Sequence, residues 1–304
     1  MTENYRIECI PNVSTADPDT LNKISAAIRS IPEVDLRFVD TGLSANRTVF
    51  TYIGPAHAVF KATEKMIDTA LAYIDMRKHS GVHPRMGAID VCPFVLLDDE
   101  KFQAAFLKAV DQFIEYMGTK GLPIYTYEHS ARQPSRRNLA LVRQGEYEQL
   151  SYRFAAGDVP DAGPKIWNES VAKCGSTAMG ARPLMVAFNV NLSGGSQKEL
   201  LVAAKQIART IRERDGGLPG VKSIGWYIPD LDVVQVSCNL TKPFKTGVCE
   251  VFQTVQKQAM TLGYLAPDSE LIGCIPERQF EICTPSTLGL GRFKPMTPDR
   301  ILPY

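Results

Sequence analysis

Apolar and polar positions in the first half of the chain follow strand and helix periods in turn. Period-two or continuous apolar runs predict strands at residues 5–10, 36–40, 47–53, 88–96 and 123–127. Apolar positions three and four residues apart, as at Val59, Met66 and Ala70, predict helices. These helices span residues 21–31, residues 55 to about 74 and residues 98 to about 118.

The second half repeats this order of elements. We predict strands at residues 184–192, 223–228, 233–239 and 270–275, and helices at residues 196–214 and 246–262. Each half then contains the order β-α-β-β-α-β, which is ferredoxin-like, and the first half adds the helix at residues 98 to about 118 and the strand at residues 123–127. The predicted fold class is therefore α/β (α+β), with two ferredoxin-like subdomains whose sheets pack against each other. Periodicity fades at residues 157–180, so we place the subdomains at residues 1–178 and 179–304.

Composition narrows the function classes. The 304 residues are 44% hydrophobic and carry a net charge of +1, which gives no electrostatic case for nucleic acid. No run approaches the 18 apolar residues of a membrane span, and the N-terminus has no signal-peptide pattern. The seven cysteines form no C-x-x-C pair, which argues against a zinc site, and several of them sit in apolar runs, which indicates reduced core thiols. We expect a cytoplasmic protein with no membrane partner and no metal.

The strongest chemical signal is the run HPRMGAIDVCP at residues 83–93. His83 is one of four histidines, and the following Pro84 favours an extended backbone at His83. Arg85 and Asp90 follow in the same run. An imidazole that titrates near neutral pH, a cation for an acidic substrate and a carboxylate together suit proton-transfer catalysis. The alternative is a structural loop histidine.

Further segments extend this signal over nearly the whole chain. With HSGVHPRMGAIDVCPF they include IECIPNVS, VDTGLSANRTVFTYIG, QPSRRNLALVRQGEYEQL, PDAGP, GARPLMVAFNVNL, SIGWYI and LGLGRFKPMTPDRIL. Together they resemble the glutamate formiminotransferase family, the transferase part of formiminotransferase-cyclodeaminase. The resemblance implies transfer of the formimino group of N-formimino-L-glutamate to tetrahydrofolate, the co-substrate, in histidine degradation. The products are 5-formiminotetrahydrofolate and L-glutamate.

Within this resemblance His83 matches the family's catalytic histidine. It would take the proton that the attacking folate nitrogen loses and return it to the departing glutamate nitrogen. Asp40 stands at a strand end beside Gly42, where it would hold the formimino N–H or orient His83. The other interpretation of Asp40 is a turn residue that caps the loop.

Five arginines are candidates for the substrate and folate carboxylates, because a guanidinium binds a carboxylate through two parallel hydrogen bonds. They are Arg47, Arg85, Arg136, Arg137 and Arg182. Arg136 and Arg137 form the strongest local basic pair, and Arg182 leads into the second half. Surface or strand-edge positions are the alternative for each.

Residues 160–170 resemble the family's folate-binding loop. The candidates there are Asp161, Gly163, Pro164, Lys165 and Trp167. Gly163 would permit close approach of the backbone, and Trp167 would stack on an aromatic ring of the folate. The residues after Pro164 depart from the family, as does Thr15, where relatives carry an acidic residue.

Two other functions remain open from the sequence. One is transfer of a formyl group, from N-formylglutamate or formyltetrahydrofolate, and the other is a non-catalytic folate-binding module. The resemblance also suggests a possible homodimer. Because the chain stops after LGLGRFKPMTPDRIL, we expect a separate cyclodeaminase to act on the product.

Overall fold

The computed structural model describes residues 5–302, and the chain divides into two compact units, Met1–Arg182 and Pro183–Tyr304. In the first unit the strands are β1 Arg6–Cys9, β2 Asn12–Val13, β3 Asp35–Gly42, β4 Arg47–Pro55, β5 Ile89–Leu96, β6 Ile124–Thr126 and β7 Thr177–Ala181. Its helices are α1 Pro18–Arg29, α2 Ala56–Tyr73, α3 Gln103–Thr119, α4 Leu139–Val142, α5 Leu150–Ala155 and α6 Glu169–Cys174.

The second unit has fewer elements. Its strands are β8 Val186–Ser193, β9 Val221–Ile228, β10 Val233–Leu240, β11 Leu265–Ile272, β12 Ile275–Pro276 and β13 Ile301–Leu302. Its helices are α7 Gln197–Ile211 and α8 Val248–Thr261. Both units thus combine helices with a sheet, which confirms the predicted mixed α/β class.

The sequence explains where the first helix begins and which face it buries. Asp17 precedes α1, and its carboxylate accepts a hydrogen bond from the Thr20 amide at 2.9 Å, while Pro18 occupies the first turn. Leu21, Ile24 and Ile28 form the buried stripe. Burial of each such side chain contributes about 1.5–3 kcal/mol, so this face fixes α1 on the sheet.

The first unit has a seven-stranded sheet. Strands β3, β4, β1 and β5 lie in that order and pair antiparallel, and β2 also bridges β4 and β5. Beyond β5 the sheet continues with β7 and then β6, both in parallel pairings. The sheet therefore brings the segment before β5, where His83 lies, next to the end of β3 and the start of β4.

The second unit has a four-stranded sheet in the order β11, β8, β10, β9, with every pair antiparallel. Helix α7 starts with a capping box, in which the Ser196 and Glu199 side chains bond each other's backbone amides. The core of this unit contains Phe188, Val236, Phe252 and other apolar residues.

The structure departs from the sequence prediction at the end of the first half. Residues 177–181 form β7, a strand that we did not predict. Every residue of β7 is buried, since the strand lies between β5 and β6. A strand buried on both faces shows no alternation of polar and apolar positions, so its pattern gave no signal.

Two further expectations need correction. The last long strand begins at Leu265, five residues before the predicted start. Pro267 and Asp268 interrupt the strand pattern in the sequence, and the pairing shifts register between Leu265 and Asp268. Cys249 and Cys283 form a disulfide with their Cα atoms 5.6 Å apart, so the prediction of reduced thiols is wrong for this pair.

Candidate active site

His83 lies in the first unit, on the loop between a short 3₁₀ turn at Met76–Lys78 and strand β5. The loop is held in place on one side by residues 43–46. The Val82 amide donates to the Ser44 carbonyl at 3.1 Å. A Cβ on Gly81 would come within 2.2 Å of the Ala45 carbonyl oxygen, so only glycine allows this approach. The loop is thus a fixed platform for the imidazole.

A backbone contact sets the tautomer of His83. Its Nδ1 lies 2.8 Å from the carbonyl oxygen of Pro84. A carbonyl oxygen only accepts hydrogen bonds, so Nδ1 carries the proton and the basic lone pair is on Nε2. The ring is half-buried. This arrangement gives His83 the form that a general base requires.

The surroundings of His83 lower its pKa to about 4. Burial is the largest cause, and the positive charges of Arg47 and then Arg143 act in the same direction, against the Pro84 hydrogen bond and Asp90. The expectation of an imidazole that titrates near neutral pH is therefore wrong. At pH 7 the ring is neutral, and an imidazolium formed there is a strong acid.

A buried carboxylate links the two arginines. Asp90, on β5, is fully buried, and its Oδ2 accepts from Nη1 of Arg47 and, at 2.9 Å, from Nη1 of Arg143. Its Oδ1 accepts from the Met86 amide at 2.9 Å. Burial by itself would raise the pKa of Asp90, but the two guanidiniums hold it below its usual value. Arg47 is itself buried, and Arg47 and Arg143 are thus bound within the chain.

Asp40 lies on the same side of the sheet as Arg47. It pairs with Val49 across β3 and β4, and directly opposed residues of antiparallel strands share a face. Arg47 is two residues from Val49 and so lies on that face as well. The sheet therefore brings Asp40 and Arg47 close together, although their roles toward a substrate stay predictions.

Arg85 is bound by carboxylates of its own unit. It donates to both oxygens of Glu148, at 2.8 and 2.6 Å, and to Glu146 at 3.3 Å. Its Nε donates to Nδ1 of His79 at 3.2 Å, and Nε2 of His79 in turn donates to the Asn46 carbonyl at 2.8 Å. Arg85 thus joins the His83 loop to residues 146–148 and to His79.

Arg136 is occupied in the same way. Its guanidinium donates to Asp161, to Asp158 at 2.8 Å and to the Val159 carbonyl at 3.0 Å, and it lies 4.7 Å from the centre of the Tyr125 ring. Asp161 also accepts from the Thr126 amide at 2.8 Å. These contacts join the segment before α4 to residues 158–161.

The rest of the predicted folate-binding loop has internal contacts too. Gly163 has φ +84°, and a Cβ there would come within 2.0 Å of the Leu122 carbonyl oxygen. Lys165, which follows Pro164 in the chain, donates to the Pro160 carbonyl. Trp167 packs edge-on against Phe154, with ring centres 5.5 Å apart. These contacts explain the shape of the loop without a ligand.

The last two predicted arginines differ in exposure. Arg137 is exposed and has neither a hydrogen bond nor an ion pair within residues 5–302. Arg182 is the last residue of the first unit, is half-buried, and its amide donates to the Phe94 carbonyl at 2.9 Å. Arg137 therefore has the most donors available for a carboxylate.

Sequence reasoning missed two residues that shape this site. Arg143 lies 60 positions after His83 and is followed by no motif of its own; only its place in the matched segment QPSRRNLALVRQGEYEQL marked it. Asn46 has φ +45°, which is uncommon for a non-glycine residue. Its side chain accepts from the Ala16 amide at 2.9 Å and donates to the Ser80 carbonyl at 3.0 Å, so it ties three loops together.

We predict that the acid limb of kcat/KM lies well below the ordinary histidine pKa of 6.5, because the folded-state pKa of His83 is about 4. Since this pKa is depressed, the stability that neutral His83 contributes is complete above pH 6.5 and is lost as the pH falls to about 4. The measurement is kcat/KM from about pH 4 to about pH 8, with circular dichroism at each pH to separate unfolding from titration. An inflection near 6.5 would contradict the assigned environment.

Residues 5–302 contain neither a metal-binding cluster nor a membrane-spanning helix. No group of three or more His, Cys, Asp or Glu side chains is arranged to hold a metal ion. None of the helices in this range is long and apolar enough to cross a membrane.

Comparison with known families gives two matches. A model of the "formiminotransferase domain, N-terminal subdomain" matches residues 6–182, and a model of the "formiminotransferase domain" matches residues 187–284. The first match contains His83, Asp40 and Arg143. Together the two models cover most of the chain.

Curated relatives agree with the family models. The glutamate formimidoyltransferase of Thermoplasma acidophilum is 36% identical over 90% of this chain and 88% of its own length, and that of Streptococcus pyogenes is 37% identical over 90% and 89%. The formimidoyltransferase-cyclodeaminase of Rattus norvegicus is 36% identical over 89% of this chain, which spans only 50% of that relative. Among solved structures, the periplasmic protease PqqL from Escherichia coli aligns over 91% of this chain and 35% of its own, with 10% identity and a TM-score of 0.21, too low to inform fold or function.

Proposed function

The chain belongs to the formiminotransferase family, and from that premise we propose how it moves a formimino group from N-formimino-L-glutamate to tetrahydrofolate. Its activity is that of a glutamate formimidoyltransferase, as in the two relatives that match nine-tenths of it. Tetrahydrofolate is the co-substrate in this proposal, and the products are 5-formiminotetrahydrofolate and L-glutamate.

The observation that carries the proposal is the His83 tautomer. N5 of the folate attacks the carbon of the protonated formimino group as a free base. As the bond between them forms, the electron pair of the C=N bond moves to the formimino nitrogen, and the attacking nitrogen becomes cationic. Nε2 of His83 takes the proton from that nitrogen, because Nδ1–H is bonded to the Pro84 carbonyl. The imidazolium then gives the proton to the glutamate nitrogen as the bond between that nitrogen and the formimino carbon breaks, while the electron pair on the formimino nitrogen re-forms the C=N bond.

The low pKa of His83 favours the second half of this cycle. An imidazole with a pKa of about 4 is a weak base. The cationic amine of the addition product is, however, a strong enough acid to give up its proton to such a base. The resulting imidazolium returns the proton readily to the departing nitrogen. The water-poor surroundings that lower the pKa therefore suit an acid more than a base.

We propose different roles for the arginines. Arg137, exposed and without an internal partner in the described part of the chain, binds a substrate or folate carboxylate, with Arg182 as a second cation. Arg47, Arg85 and Arg136 each have a carboxylate partner within the first unit and hold the site in shape. Their donors are occupied, so direct substrate binding by them would require these ion pairs to open.

Asp40 completes the proposed chemistry. A formimino group can be protonated and cationic, so a carboxylate on the Arg47 face of the sheet would stabilise it. A formyl group is neutral and would gain nothing from that charge. The segment with Asp161, Gly163, Pro164, Lys165 and Trp167 remains our proposal for the folate-binding loop.

We also propose that each unit contains a ferredoxin-like core. The supporting observations are the strand orders: β3, β4, β1, β5 in the first unit and β11, β8, β10, β9 in the second, each with two helical connections. By family, we further propose a cytoplasmic enzyme, a homodimer and a separate cyclodeaminase that consumes the product.

We predict that single-turnover reactions with tetrahydrofolate give product from N-formimino-L-glutamate and little or none from N-formyl-L-glutamate. We also expect Asp40→Asn to slow formimino transfer by about tenfold to 100-fold, because it removes the charge that faces the cationic group. Thr41→Val, a change at the exposed neighbour of Asp40, is the control. Equal product from the formyl donor would support formyl transfer, and no product from either donor would support a binding module.

A further inference from the structure

We infer that Arg143 is a positioning residue for His83, acting through the carbonyl group of Pro84. The inference rests on the proposed function, in which His83 carries the proton. It goes beyond that function because it gives Arg143, 60 positions after His83, a part in deciding which imidazole nitrogen of His83 is basic. Neither the resemblance nor the motif around His83 points to this role.

The carbonyl oxygen of Pro84 lies within hydrogen-bond distance of both His83 and Arg143. The Pro84 oxygen receives Nδ1–H of His83 at 2.8 Å and Nη1–H of Arg143 at 3.3 Å. A carbonyl oxygen has two lone pairs, so it can accept both hydrogen bonds. Arg143 therefore helps fix the position of the acceptor that selects the Nδ1–H tautomer.

Arg143 is itself held by a buried carboxylate and by a backbone hydrogen bond. The same Nη1 donates to Asp90 at 2.9 Å, and Asp90 is fully buried and bonded to Arg47 and the Met86 amide. The Arg143 backbone follows α4, and its amide donates to the Leu139 carbonyl at 3.0 Å. The side chain is thus held at its backbone and, through Nη1, at its tip, as a residue that orients another side chain must be.

The charge of Arg143 acts on the same imidazole. Three charged groups on three elements face His83: Arg47 on β4, Asp90 on β5 and Arg143 after α4. The two cations disfavour the imidazolium, and Asp90 opposes them. Loss of the Arg143 charge should therefore raise the pKa of His83 and weaken the imidazolium as an acid.

Two substitutions of Arg143 separate the effect of its hydrogen bonds from the effect of its charge. Arg143→Met removes both the charge and the hydrogen bonds, whereas Arg143→Lys keeps the charge and lacks the planar fork. Arg6→Met is the matched control, because Arg6 is also paired with a carboxylate, Asp98, but is the exposed first residue of β1. All variants are compared as the full chain.

The primary measurement is a ¹⁵N spectrum of histidine-labelled protein, in which the four histidines are few enough to assign with a His83→Gln variant. We expect wild type to show the Nδ1–H form with a titration well below 6.5. Arg143→Met should mix in the Nε2–H form and titrate at higher pH. Arg143→Lys should mix the tautomers with a smaller change in titration, and Arg6→Met should match wild type.

Turnover provides the second measurement. We expect kcat to fall by about tenfold to 100-fold in Arg143→Met, with a smaller change in KM for the formimino donor, as for other residues that orient a reacting group. An unchanged His83 tautomer and titration in both Arg143 variants would overturn the inference. A raised KM with kcat unchanged would also overturn it, since Arg143 would then bind substrate.

The inference and the proposed function fail in different ways. If His83→Gln retains wild-type turnover, the proposed function is wrong whatever the spectra show. If His83→Gln is inactive but Arg143→Met leaves the imidazole unaffected, only the positioning role is wrong. If Arg143→Met does not fold, Arg143→Lys still decides the question through the tautomer.

Discussion

Replacement of His83 by alanine should slow single-turnover formation of 5-formiminotetrahydrofolate by about 100-fold or more. General acid–base catalysis by a positioned side chain contributes about 10²–10⁴-fold, and His83 is assigned both proton transfers. The loss should appear in the rate and not in binding, because the imidazole handles a proton and has no carboxylate of the substrate to hold. Rapid quenching with wild type and variant under identical conditions measures the rate.

Calorimetric titration with a folate completes this experiment. We expect His83→Ala to bind the folate with an affinity close to that of wild type. His57→Ala is the control, because His57 is exposed and its imidazole bonds only to Glu33, at 3.2 Å, within residues 5–302. A His83→Ala protein that turns over like His57→Ala would exclude His83 as the proton carrier.

Replacement of Asp90 by asparagine should destabilise the first unit by about 3–5 kcal/mol. Asp90 is fully buried and is the shared partner of Arg47 and Arg143. Removal of one partner from a buried ion pair leaves a charge without compensation in a poorly solvated place, which costs about that much. Here two guanidiniums lose their partner at once.

The measurement is urea unfolding followed by tryptophan fluorescence. Urea is preferable to guanidinium because a salt would screen the charges under test. The chain has two tryptophans, one in each unit, so a Trp226→Phe background reports on the first unit through Trp167. Asp98→Asn is the control, since its partner Arg6 is exposed and such pairs contribute at most about 1 kcal/mol.

A double variant sharpens the result. If the cost arises from uncompensated guanidinium charge, Asp90→Asn combined with Arg143→Met should be less destabilised than the sum of the two single changes. Equal losses in Asp90→Asn and Asp98→Asn would show instead that the Asp90 cluster contributes no more than a surface ion pair.

Elements with a strong local pattern could be predicted from the sequence. The helix that begins at Ala56 has Val59, Met66 and Ala70 on one buried face, and this stripe is visible in the residues alone. The strand β7, TAMGA, is buried throughout and has no alternation, so only its pairing with β5 and β6 defines it. The order of strands within each sheet likewise depends on contacts between distant segments.

The candidate site shows the same division. The residues alone indicate the family, the motif around His83 and the residue types that formimino transfer needs, because these are properties of contiguous segments. The position of Asp90 between Arg47 and Arg143, the internal pairing of Arg85 and Arg136, and the His83 pKa of about 4 are visible only in the folded chain. Burial and charge at one atom are sums over neighbours from β4, β5 and the segment after α4, and no local pattern of residues contains those distances.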